Sequence, residues 1–167
     1  MKRIIAFVLC MIFAFLCCSC SRQSDEACFD ILCELLQAIK GEIGGDETLY
    51  SSSAEEGELG YFSDELSCTL FGEKWVRECF PKIEDCALYI SVREIEEVAV
   101  FRCYSRSDTD IIAAMCLERA DKLKVAQRSI SNDDLTQTAH VEIRGRYVLF
   151  SFMSRSEAIA EYFYKLI

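Results

Sequence analysis

Apolar positions along this chain keep different rhythms, and each rhythm predicts a different element. Between Ile4 and Cys18 they run without interruption. From Cys28 to Ile39 they return every three or four residues, as Cys28, Ile31, Leu32, Leu35, Leu36 and Ile39, the spacing that lays them along one side of an amphipathic helix. That helix is expected over about Asp25 to Lys40. Ser24 caps it, Asp25 and Glu26 suit the positive end of its dipole, and Gly41 stops it. Further on, Cys86 to Val92 and Glu96 to Tyr104 gather β-branched and aromatic residues around a short charged link, the signature of an antiparallel strand pair. Arg102 breaks the apolar run of the second strand, as a sheet with one solvated face requires.

Polar and turn-forming residues punctuate the remainder. Gly41 to Gly60 is rich in Gly, Ser and acid and reads as an exposed loop with a short strand around Thr48 to Ser51. Ser63 caps a short helix through Phe71 that Gly72 ends, and a further turn from Lys74 to Cys79 stops before Pro81. A long helix is expected from Asp108 to Arg128, capped by Ser107 with Asp110 three residues on. Its buried stripe is Ile112, Cys116, Ala120, Leu123 and Ile130, with Asp121, Lys124 and Arg128 in water and Glu118 placed to pair with Lys122. After a polar turn at Ser131 to Asp134, His140 to Ile143 and Arg146 to Met153 form a hairpin about Arg144 and Gly145. Ser154 with Glu157 opens a last helix whose Ile159, Phe163 and Leu166 point inward. The prediction is an α+β fold: N-terminal helices, then a ββαββα unit whose antiparallel sheet carries its helices mainly on one face.

The unbroken run belongs to a different category. Lys2 and Arg3 precede it and Ser19, a small residue, follows it beside Cys20, the basic, apolar, small order of a secretory signal peptide. The run is shorter than the roughly 20 residues of a spanning helix. Its closing cysteine resembles the lipobox of bacterial lipoproteins, so cleavage before Cys20 and a diacylglyceryl group on its sulfur are expected. Cys17 and Cys18 compete for this role, but only Cys20 follows a residue as small as Ser19. Residues 1–19 are then the signal, 20–26 the lipidated cysteine and tether, and 27–167 one domain on the outer face of the bacterial cytoplasmic membrane. Two acyl chains give stable anchoring where one is marginal.

Loss of Lys2 and Arg3 with the signal would take the formal charge from −10 to −12. Such a surface is repelled by phosphates, which excludes nucleic acid as a partner and makes the covalent anchor the route to the membrane. Seven cysteines fall after the leader region: Cys28, Cys33, Cys68, Cys79, Cys86, Cys103 and Cys116. Their number is odd and no C-x-x-C pair occurs, which argues against a zinc site and a thioredoxin-like motif. Most sit where an apolar residue would, and free cysteine packs as a small hydrophobe. One or two disulfides are compatible with export, but their connectivity cannot be read from sequence.

The segments EEVAVFRCYSRSDTDIIAAMCLERADKLK, from Glu96 to Lys124, and RGRYVLFSFM, from Arg144 to Met153, resemble the domain of unknown function four-three-five-eight, found in lipoproteins of clostridia and related Gram-positive bacteria. The likeness spans roughly Phe62 to Ile167. It implies the same fold behind a lipid anchor and brings with it no catalytic residue, metal or cofactor.

His140 is the only histidine, so a Ser/His/Asp or Cys/His catalyst would have to use it. No G-x-S-x-G setting and no Gly-rich phosphate loop occurs, and the paired acids sit at caps, turns and strand starts. Arg102, Arg144 and Arg146, with Arg106 nearby, are the candidate docking patch for an acidic envelope protein or wall polymer; the competing reading is edge and turn charge that discourages sheet pairing. The sequence therefore leads to the expectation of a non-enzymatic, lipid-anchored module that binds or supports another envelope component. The alternative is an envelope enzyme or thiol-redox protein using His140 or an exposed cysteine.

Overall fold

The computed structural model describes residues 26–41, 47–130 and 137–167. The leader with Cys20, the Ser24 and Asp25 start expected for the first helix, the side chain of Ile130 and the Ser131 to Asp134 turn all lie outside them.

Helix α1 (Cys28–Ile39) buries the six residues its spacing predicts, and Gly41 follows it with φ +79°. Strand β1 (Glu47–Ser51) is the strand expected in the acidic loop. Gly60 passes so close to it that a Cβ there would lie 2.7 Å from the Leu49 carbonyl oxygen. Helices α2 (Asp64–Phe71) and α3 (Glu73–Cys79) meet at Gly72; the Ser63 hydroxyl accepts from the Leu66 amide and caps α2 as predicted. Strand β2 (Ile83–Ser91) begins three residues before the predicted start, β3 (Glu96–Cys103) matches its prediction within a residue, and α4 (Thr109–Ile130) is the long helix. Strands β4 (Thr138–Arg144) and β5 (Tyr147–Met153) form the second hairpin, and α5 (Ser156–Leu166) closes the chain.

Three predicted caps and turns differ. A 3₁₀ turn precedes α4, and Ser105, not Ser107, accepts from the amide at its start. The hairpin turns on Gly145 and Arg146, because Arg144 already pairs with Tyr147; Gly145 supplies φ +57°. Ser154 caps nothing: Ser156 instead accepts from the Met153 amide and donates to the Thr138 carbonyl, tying the start of α5 to the sheet.

All strand pairs in the sheet are antiparallel, in the order β1-β2-β3-β5-β4. Strands at the centre alternate their side chains between two cores. On β3, Ala99, Phe101 and Cys103 enter a core shared with α2, α3 and α4, whereas Val98 and Val100 enter one shared with α1 and α5. Helices thus cover both faces, where the single Arg102 interruption suggested one dry face and one wet. The α+β class and the antiparallel sheet are as expected; the layering is helix, sheet, helix. Arg102 lies on the α1 and α5 side with its side chain only 14% exposed, donating to the Glu26 carbonyl at 3.1 Å and facing Glu84 at 3.3 Å.

Candidate functional site

The predicted arginine patch is assembled only in part. Arg102 and Arg146 converge on one carboxylate, Glu84 of β2, at 3.3 and 2.7 Å. Arg146 also donates to the Cys103 carbonyl, so both guanidinium groups serve the end of the sheet where β2 starts and β3 stops. The Arg144 guanidinium carbon lies over Tyr164 of α5, 3.5 Å from the ring centroid. Arg106 sits in the 3₁₀ turn before α4. The cations share one end of the molecule, but an acid and an aromatic ring already occupy three of them.

His140 projects from β4, and its Nε2 stands 3.6 Å from Glu142. Ser151 faces it directly across the ladder. That hydroxyl is sealed under α5 with no hydrogen-bond partner among the described residues, so a substrate has no path to it. A nucleophile must be reached before it can be activated.

All seven thiols are free. Cys28, Cys79, Cys86, Cys103 and Cys116 are buried, and burial pushes Cys79 and Cys103 up to about 11 and Cys86 up to about 12. Burial raises Cys28 and Cys116 as well. Thiols so protonated are poor nucleophiles and poor metal ligands. Cys33 and Cys68 are half-buried. Among the described residues no group of three or more His, Cys, Asp or Glu has the arrangement to hold a metal ion.

Two polar assemblies escaped sequence reasoning. At the end of the sheet opposite the arginines, the Lys40 ammonium donates to Glu96 at 2.7 Å, Glu47 at 2.8 Å, Glu94 at 3.1 Å and the Tyr89 hydroxyl. Burial alone would lower its pKa, but the bonds to Glu47 and Glu96 outweigh it and hold Lys40 above its ordinary value. Burial raises Glu96, while the Lys40 bond lowers Glu94. Between these two acids Ile95 takes φ +52°, a conformation costly for a β-branched residue, and its side chain packs on the core. Beside the cluster lies a concavity of about 550 Å³ lined in part by Gln137, Ser154 and Arg155. The second assembly is Glu97, 1% exposed, gripped by Arg119 through three contacts of 2.7 to 3.2 Å, with Arg119 also donating to the Leu70 carbonyl. It ties α4 and the end of α2 to β3. Apart from Glu47, seven residues after Lys40, the partners lie 22 to 56 residues apart in sequence, and nothing in local spacing announces them.

Comparison with family models, with curated proteins and with solved structures yields no match to this chain.

Proposed function

We propose that this chain is an exported lipoprotein, held by a diacylglyceryl group on Cys20 at the outer face of the cytoplasmic membrane, whose domain acts as a non-catalytic binding or support module. The observation that carries the reading is the Lys2 to Ser21 stretch, with its basic start, apolar run and Ser19-Cys20 close. The geometry of the first described residues is consistent with an anchored domain. The Glu26 carbonyl accepts from Arg102 at 3.1 Å and from the Tyr147 hydroxyl at 2.9 Å, fixing the chain to the sheet two residues before α1. Only Ser21 to Asp25 would separate that clamp from the lipid, a reach of at most about 20 Å. The arginine end of the sheet would then face the bilayer and the Lys40 end would face outward. Sealing of Ser151 and of most thiols favours binding over the enzymatic or thiol-redox alternative.

The test is Cys20→Ala in cells fed labelled palmitate. The variant is expected to accumulate as an unprocessed precursor without label. Normal processing, or label retained in the variant, would overturn the assignment of Cys20.

A further inference from the structure

The sheet ends at β4, and among the described residues no strand pairs with the outer rim of that strand. Because Arg144 and Tyr147 flank a two-residue turn, they form a hydrogen-bonded pair, and the ladder alternates from there. Ala139, Val141 and Ile143 therefore turn their N–H and C=O groups away from β5, and no hydrogen bond from another described residue reaches them from outside the ladder. Their side chains are half-buried against the core beneath α4. On the opposite face His140 and Glu142 look toward α5, where Glu157, Ala160, Glu161 and Tyr164 make one stripe at helical spacing. Between rim and stripe runs a groove of about 520 Å³.

A strand laid along β4 would sit about 4.8 Å outside it and send alternate side chains toward the two helical layers. Those on one face extend the apolar row of Ala139, Val141 and Ile143. Those on the other enter a groove holding three carboxylates against two cations that both lie over rings, Lys165 over Tyr162 at 5.3 Å and Arg144 over Tyr164 at 3.5 Å. Charge thus selects the occupant. A second copy of this chain carries the same acidic groove and the same formal charge of −10, so two copies repel. A basic strand reverses the sign. His140 and Glu142 do not close the edge, because their side chains point into the groove and not across the rim.

We propose that β4 is a strand-addition site for an extended partner segment in which Lys or Arg alternates with small apolar residues. This names the partner class for the binding role proposed above and rests on that role. Main-chain hydrogen bonds would supply affinity and the groove would supply the preference for cations.

The test uses the full chain in neutral detergent and a labelled alternating lysine–valine heptapeptide, read by fluorescence anisotropy. The double variant E142K/E161K is expected to weaken binding about tenfold or more. The variant E34K/E56K has the same net charge but its changes lie elsewhere on the surface, and it should leave binding within about twofold. Two N-methylated peptides, one methylated on the valine amides and one on the lysine amides, distinguish a ladder from diffuse attraction on the unmodified protein: one should lose binding and the other keep it. Equal binding of both, equal binding of a glutamate–valine peptide, or a concentration-dependent dimer that forms through β4 in place of peptide binding would each overturn the proposal. None of these outcomes bears on the processing of Cys20, so the two proposals fail separately.

Discussion

A thiol sealed in an apolar layer keeps its proton, and this links the cysteine-rich composition to pH. Cys79 and Cys103, pushed up to about 11, and Cys86, pushed up to about 12, all stand above the unperturbed thiol value near 8.5. Above about pH 9 an unfolded chain releases protons that the folded chain retains, so unfolding gains. The contribution is nil below the unfolded pKa and grows by up to about 1.4 kcal/mol per thiol per pH unit toward the folded one. With reductant present, the urea midpoint is therefore expected to hold between pH 7 and 8 and to fall between pH 9 and 10. Cys103→Val should lessen the fall. A midpoint flat to pH 10 would contradict the burial account. The same burial predicts that, among these seven cysteines, native alkylation at pH 8 reaches at most Cys33 and Cys68, with the other five reacting only in urea; peptide mass mapping reads this directly.

At the scale of the element, the clearest borrowed stabilisation is the start of α1. No side chain of its own caps the helix at Ala27. Asp85, on β2, accepts from the Cys28 amide at 2.8 Å through Oδ2 and from the Ser52 hydroxyl at 2.8 Å through Oδ1. One carboxylate thus serves a helix end, a loop and a strand. Asp85→Ala should cost about 1–2 kcal/mol, the range for loss of an N-cap, and Asp85→Asn clearly less, since its amide oxygen still accepts. Urea unfolding of the two variants would show it, and equal losses would mean the carboxylate's charge, not its hydrogen bond, matters. The cap also shows where sequence reading stops. The α1 stripe, the α4 stripe from Ile112 to Leu123, the helix end at Gly72 and the glycine in the second hairpin turn follow from neighbours within a few residues, and they were readable. Asp85 over Cys28, or Lys40 among Glu47, Glu94 and Glu96, depends on partners that only the folded chain brings together. Among the site candidates, the chain showed which residues carry charge, but not that Glu84 would claim Arg102 and Arg146 or that Ser151 would be sealed opposite His140.

For the described molecule as a whole, the decisive fact is that two cores share one set of strands. Leu88 and Tyr89, Ala99 and Val100, Val148 and Leu149 are neighbours in sequence yet belong to opposite layers. A central strand cannot lose its packing on one face and keep its ladder, because neither face alone would then cover it. Polar ties reinforce the coupling: Glu97 anchors α4 to β3, while Tyr147 and Arg102 hold the entry to α1 on the other side. The two layers are therefore expected to unfold as one cooperative unit, as single domains of this size commonly do. Trp75 of α3 reports the first layer, since its ring packs on that core and its Nε1 donates to Glu118 at 2.6 Å. Cys28 of α1, buried in the second, reports the other through its protection from alkylation. Trp75 fluorescence and Cys28 protection should be lost at the same urea concentration. If Cys28 became reactive well before the fluorescence changed, α1 would be a separately folding flap, and the clamp at Glu26 would not hold the domain to its tether.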